Sequence, residues 1–316
     1  MLLNEAHEIT RRIYSKLEEN FKAEPEILKK ILSVWLSGGH LLLNDKPGTG
    51  KTTLSKILAG IVSADFKRIQ FTPDVTPSDV IGVNIFNNKT TDWNFHPGPI
   101  FSNIVLADEI NRAPPRTQSA LLEAMAENQV SVDGKTMKLD DSFFVIATQN
   151  PLEFEGTYPL PEAQNDRFSM RLSLGEKSQQ EEIDIILGKY NFKGIDAIIS
   201  FSEWKELQRV VKNIEIHDDI ALYIVNILRK TRINSYLLNG SSSRGGQALV
   251  NCAKAYAVIE GQNKVLPDYI YKLSPNVLSH RMSLTEDAYL ESKTEEDIIK
   301  QILDDTSPGL TLDEKK

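Results

Sequence analysis

Residues 46–53 read Lys46-Pro47-Gly48-Thr49-Gly50-Lys51-Thr52-Thr53. A short apolar run, 40–44, precedes them, and helical spacing follows through Leu54, Ile57, Leu58 and Ile61. Strand, glycine-rich loop and helix in that order form the setting in which such a loop holds phosphates. Glycines let backbone N–H groups approach the phosphates, and the helix turns its positive end toward them. Pro47, Gly48, Thr49, Gly50, Lys51, Thr52 and Thr53 are therefore the candidate phosphate-binding set. Lys51 suits the β- and γ-phosphates, and the Thr52 hydroxyl suits Mg²⁺. The general pattern begins with glycine where this chain has Asp45.

Further along, Ile104-Val105-Leu106-Ala107 is an apolar run that ends in Asp108-Glu109. Ligands of open α/β sheets sit at the carboxyl ends of strands. Asp108 is thus the candidate second Mg²⁺ ligand, beside Thr52, and Glu109 the candidate base that orients an attacking water. The plain alternative is an acidic cap on the next helix. The paired motifs imply binding of ATP or GTP and its hydrolysis. Thr148-Gln149-Asn150 follows a second apolar strand, 143–147. Its amides suit the same water or the γ-phosphate, and an Asn150-Pro151 turn is the competing reading.

The chain has 316 residues, enough for two domains of ordinary size. Its 41% hydrophobic and 25% charged residues are those of a globular protein, and no apolar run approaches a membrane span. The acidic residues near Met1 argue against a secretory signal. Cys252 is the only cysteine, which fits a reducing, cytoplasmic setting, and it lies on the apolar stripe of a helix as a core residue. A net charge of −8 argues against a nucleic-acid partner, whose phosphates call for clustered positive charge. The five histidines show no metal-ligand spacing, and Glu153 and Glu155 read as loop solubilisers.

An amphipathic helix is expected at 26–36, stopped by Gly38-Gly39. Strands are expected at 40–44, 68–71, 104–108, 143–147 and 170–174, their apolar runs suiting a parallel sheet buried on both faces. A helix at 118–128 turns Leu121, Leu122 and Met125 inward. Asp133-Gly134 marks a hairpin between 130–132 and 136–139, and a polar hinge at 87–92 marks another between 81–86 and 93–96. Beyond about 190 the pattern is helical, at 219–230, 246–260 and 267–273, with a fraying tail from Thr306.

Six further stretches carry a resemblance. They are Phe66-Lys67-Arg68-Ile69-Gln70-Phe71-Thr72-Pro73-Asp74, Pro97-Gly98-Pro99-Ile100-Phe101, Ala107-Asp108-Glu109-Ile110-Asn111-Arg112-Ala113, Thr117 to Met125, Ala147-Thr148-Gln149-Asn150-Pro151 and Glu155 to Gln164. In this order they resemble the MoxR family of AAA+ ATPases over about 38–175, and more thinly to 281. MoxR proteins often carry Asp at the position of Asp45. The resemblance implies a P-loop NTPase fold of the AAA+ type: a parallel five-stranded α/β sheet flanked by helices in 1–190, with two hairpin insertions, and an all-helical lid in 191–316. It implies that Asn150 is the first sensor and that Arg167 is an arginine finger serving the neighbouring subunit's nucleotide. Arg244 matches the second sensor on the lid, although Ser243 and Gly245 replace the usual Pro and Ala. Lys22-Ala23-Glu24 stands where the family's base-contacting segment lies. His96 replaces a residue that is often basic. Arg112 is open between a partner contact and a salt bridge at the next helix. Trp93 and Phe95 are open between client contact and packing of their hairpin.

The implied activity is Mg²⁺-dependent ATP hydrolysis to ADP and phosphate in a ring, a hexamer by family analogy. The implied output is chaperone-like remodelling of partner proteins, among them proteins with a von Willebrand factor A domain. The rival readings are a small-molecule kinase, a nucleotide-gated binding module with little hydrolysis, and a AAA+ DNA motor or loader.

Overall fold

The computed structural model describes residues 1–150, 156–177, 179–188 and 194–308. The readings at Pro151, Glu153 and Glu155, the boundary at 190 and the tail beyond 308 lie outside them. In chain order the helices are α1 (Leu3–Asn20), α2 (Pro25–Leu36), α3 (Lys51–Ile61), α4 (Pro77–Ile81), α5 (Pro115–Glu127), α6 (Glu162–Asn165), α7 (Gln179–Ile186), α8 (Phe201–Lys212), α9 (Asp218–Ile233), α10 (Ser243–Ile259), α11 (Pro267–Leu278), α12 (Glu286–Leu290) and α13 (Glu295–Asp304). The strands are β1 (Leu41–Asn44), β2 (Phe66–Gln70), β3 (Gly82–Asn87), β4 (Asp92–Pro97), β5 (Ile104–Asp108), β6 (Gln129–Val132), β7 (Lys135–Lys138), β8 (Phe144–Gln149), β9 (Met170–Leu172), β10 (Leu237–Asn239) and β11 (Ser283–Leu284).

Five strands form one parallel sheet in the order β2-β5-β8-β1-β9. The central strands are buried on both faces, as their unbroken apolar runs require. Side chains alternate cleanly between two cores. Leu41, Leu43, Leu106, Ile146 and Met170 face one, and Leu42, Val105, Ala107, Val145 and Ala147 face the other. The second core is closed by α5 through Leu121, Leu122 and Met125.

The first core runs on into α1, α2, α3 and the helices from α8 onward. Trp35 of α2 stacks on Trp204 of α8 with ring centroids 3.8 Å apart, both fully buried. His7 of α1 bonds the Val258 carbonyl, and Lys29 of α2 pairs with Glu260 at 2.6 Å. Helix starts follow ordinary capping chemistry: Ser200 with Glu203 opens α8 and Thr294 with Asp297 opens α13. Gly38, at φ 74°, closes α2.

Both hairpins form. Asp133 and Gly134 both take positive φ (49° and 77°), the left-handed pair that a two-residue hairpin turn needs. On the other hairpin Phe95 packs edge-on against Phe101, whereas Trp93 is 68% exposed and meets only the edge of Phe86 among ring contacts. The packing reading thus holds for Phe95 and not for Trp93. The lid expected as all-helical also carries a small antiparallel ribbon, β10 with β11. Thr306, expected in a fraying tail, is buried, with its hydroxyl bonded to the Ile302 carbonyl. Helices α1, α8 and α13 were not anticipated individually.

Candidate functional site

The phosphate loop leaves the carboxyl end of β1 and runs into α3. Gly48 and Gly50 take φ of 87° and 94°, a region that costs side-chain-bearing residues strain. Gly48 faces open space, and a Cβ on Gly50 would lie 3.1 Å from the Phe21 ring. Gly50 is the N-cap of α3, so Lys51, Thr52 and Thr53 form its half-buried first turn. Lys51 Nζ donates to the Asp45 carbonyl at 2.8 Å and the Lys46 carbonyl at 3.2 Å. Burial pulls its pKa below the ordinary lysine value, opposed by the charges of Asp108, Asp45 and Glu109. Asp45 itself is buried. Its carboxylate accepts from Ser173 Oγ at 2.7 Å and from the Leu174 N–H at 3.0 Å. The residue replacing the expected glycine therefore latches the loop to the chain leaving β9.

Beside the loop lies a cavity of about 200 Å³, walled by Phe21 with Asn20, Lys22, Gly48, Gly50 and Thr53. Lys177 lines it as well, its Nζ 5.7 Å from the Phe21 ring centroid. Of the segment 22–24 singled out in the sequence, Lys22 lines this cavity, beside Asn20 and Phe21.

Next in the sheet, β5 and β8 deliver the acidic pair. Asp108 is 9% exposed. Its Oδ1 accepts from Thr148 Oγ1 at 2.7 Å, and Thr148 Oγ1 accepts in turn from the Glu109 N–H at 2.8 Å. That bridge fixes the backbone of Glu109 in a left-handed conformation (φ 57°), which is unusual for a residue other than glycine. Asp108 Oδ2 accepts from Arg68 Nη2 at 2.6 Å and Nε at 3.1 Å. Glu109 Oε2 accepts from Gln70 Nε2 at 2.9 Å and Arg112 Nη1 at 3.0 Å. Arg112 thus makes the salt bridge that was one of its two readings. Arg68 and Gln70 were missed. Alternation on β2 puts them on one face, with Gln70 in register with Asp108, and that was the available signal.

Asn150 is buried just past β8. Arg167 is exposed and lies apart from the phosphate loop, in a depression of about 270 Å³ with Glu123 and Glu127 of α5. Arg244, in the first turn of α10, is 72% exposed, and its Nη1 lies 3.9 Å from Asp166 Oδ2. His96 is exposed on β4, away from the loop. Cys252 is fully buried, and burial pushes its thiol up to about 11. Among the described residues no three His, Cys, Asp or Glu side chains are grouped to hold a metal by themselves. No helix among them is long and apolar enough to cross a membrane.

A glycine cradle at β1, an acidic pair at β5 and a buried asparagine past β8, on a five-stranded parallel sheet with a helical lid, define a P-loop NTPase of the AAA+ class. Comparison with known proteins agrees. Residues 40–170 match the ATPase family associated with various cellular activities (AAA), and residues 229–302 match the AAA lid domain. The chain is 36% identical over 312 residues to Chaperone MoxR1 of Mycobacterium tuberculosis, covering 96% of this chain and 82% of that one. It is 50% identical over 275 residues to the uncharacterised protein YeaC of Bacillus subtilis, covering 86% of each. A crystal structure from Cytophaga hutchinsonii superposes with a TM-score of 0.89 at 35% identity, over 96% of both chains. The chain belongs to the MoxR family of AAA+ ATPases.

Proposed function

We propose that the chain hydrolyses ATP with Mg²⁺ as a subunit of a ring, a hexamer by family analogy, and uses the cycle to remodel a partner protein. The carrying observation is the Thr148 bridge that sets Asp108 and Glu109 behind the glycine cradle. The residues present fit a magnesium nucleotide: open space over Gly48, a lysine whose partners among the described residues are its own loop's carbonyls, and oxygen donors at Thr52 and Asp108.

In this reading the loop N–H groups and Lys51 bind the phosphates, and the Phe21 cavity takes the base. Thr52 and Asp108 hold Mg²⁺, which when bound neutralises charge on the phosphate oxygens. Glu109 and Asn150 orient the attacking water, and Glu109 takes its proton. Arg167 places its guanidinium on the terminal phosphate of the nucleotide in the neighbouring subunit, and Arg244 reads the terminal phosphate of the nucleotide in its own subunit. Residues 1–190 and 191–316 are the two units that shift against each other, carrying the hairpins with them. The chaperone name of the Mycobacterium relative supports the remodelling output, with a client bearing a von Willebrand factor A domain as the family resemblance implies.

The test is ATP turnover to ADP and free phosphate without any acceptor. Glu109→Gln is expected to lower it roughly 100-fold or more while nucleotide affinity stays within about threefold. Unchanged turnover overturns the hydrolytic reading. A second reading, a nucleotide-gated binding module with slow turnover, draws on the hold that Gln70 and Arg112 exert on the Glu109 carboxylate. On that reading Gln70→Ala raises basal turnover.

A further inference from the structure

Arg281 closes the one-turn helix after α11 and is buried, its side chain only 4% exposed. A buried guanidinium is costly unless its donors are satisfied, and here they meet one segment of the α/β core, α11 and the adjacent His280, whose Nε2 lies 2.7 Å from Nη1. Nε donates to Asp166 Oδ1 at 2.8 Å, Nη2 to the Phe168 carbonyl at 2.6 Å and Nη1 to the Ser169 carbonyl at 3.4 Å. A further bond ties Nη1 to the Val277 carbonyl in the last turns of α11. Arg281 thereby grips the stretch 166–169 on both sides of the exposed Arg167. That stretch runs into β9, which pairs with β1.

Two further observations link this grip to Arg244. Asp166 is shared: its other oxygen lies 3.9 Å from Arg244 Nη1, so two lid arginines face one carboxylate. Arg281 also lies against the backbone beside Arg244. A Cβ on Gly245 would sit 3.0 Å from Arg281 Cδ and 2.3 Å from Ser241 Oγ, so the α10 backbone here lies close against Arg281.

We propose that Arg281, through Asp166, is the positioning residue that couples nucleotide sensing in one subunit to the arginine finger it presents to the next. This rests on the reading of Arg167 as a finger in trans and Arg244 as a sensor in cis. When Arg244 turns to a terminal phosphate, Asp166 is left to Arg281 alone. The lid then holds the 166–169 backbone, and with it the direction of Arg167. Arg281 touches no reacting atom. Its effect reaches the chemistry only through the neighbour's site.

The experiment uses mixed assemblies of the full chain, with mixing confirmed by differently tagged subunits. Asp166→Asn is nearly isosteric, and Arg281→Lys keeps the charge but loses the fork. Either alone is expected to bind ATP within about threefold of the parent and to lose turnover by roughly tenfold or more. Mixed with Glu109→Gln subunits, each regains turnover, because its intact catalytic site receives a well-held finger from the neighbour. Mixed with Arg167→Ala subunits, neither regains any, because both partners lack the same part. The control is Arg167→Ala with Glu109→Gln. If the control recovers and Asp166→Asn does not, the coupling is overturned and the finger stands. Complementation between Asp166→Asn and Arg167→Ala also overturns the coupling. If the control itself stays dead in confirmed mixtures, the finger reading falls and the coupling with it. Should Arg281→Lys fold poorly, Asp166→Asn decides alone.

Discussion

At the phosphate loop the working groups are glycines at positive φ, backbone amides and a lysine folded onto its own loop, all half-exposed beside open cavities. At the seam where α8 meets α2 the groups are two fully buried tryptophans stacked at 3.8 Å, with Gln208 Nε2 bonding the Trp35 carbonyl at 2.9 Å and Gln208 Oε1 accepting from Ser142 at 2.6 Å. The loop buries little apolar surface and contributes little to folding. The seam touches no ligand cavity among those found beside the loop and contributes heavily to folding. Function and stability therefore sit at separable places, and point changes should pull them apart.

The largest effect is expected at the seam. Trp204→Ala should cost about 3–5 kcal/mol of unfolding free energy, read from chemical denaturation. A loss below about 1 kcal/mol would mean that the two tryptophans do not join lid helices to core as the stacking indicates.

Next in size is a pH effect inside the sheet. His40 is buried, accepting from the Val145 N–H at Nδ1 and donating from Nε2 to the Met125 carbonyl. Burial lowers its pKa from 6.5 to about 4. The unfolded chain then binds the proton more tightly than the folded one. The stabilisation is complete above about pH 6.5 and is lost as the pH falls toward 4, by about 3 kcal/mol. Buried His280 shifts in the same direction, again chiefly through burial and then through Arg281. His40→Gln should flatten part of the fall between about pH 7 and about pH 4.5. Identical slopes for parent and variant would refute this role.

The smallest effect is confined to the loop. Lys51→Ala should weaken ATP binding by about 2–3 kcal/mol, roughly 30- to 100-fold by calorimetry. The nucleotide-free melting curve should not move, because among the described residues Lys51 Nζ bonds carbonyls of its own loop alone. Loss of both binding and stability would show that loop and seam are not separable after all.

The same contrast governs what could be read from the sequence. The five sheet strands and the phosphate loop were legible because each is a contiguous run whose pattern carries its own meaning. Asp108 and Glu109 were legible from their place at a strand end. Helix α1 was passed over although Ala6, Thr10, Ile13 and Leu17 form a stripe. Its polar faces hide that stripe, which gains meaning against α2, α3 and the distant α10. The ribbon of β10 and β11 is too short for alternation to register. Arg68 and Gln70 offered only the alternation of β2, and Arg281 belongs to the site's supports through tertiary contact alone. Arg281 and Asp166 lie 115 positions apart, and no local spacing announces such a pair.

The shared core on the α1 and α2 side of the sheet has a consequence for synthesis. Tyr256 of α10 donates to the Glu26 carboxylate, and Lys29 reaches Glu260. Helix α10, a main partner of α1 and α2, thus follows them by more than two hundred residues. Until then the parts of α1 and α2 that α10 covers stay open, and the growing chain is expected to gain from a holding factor or rapid completion. A protein that resembles a chaperone is, during its own birth, a candidate client.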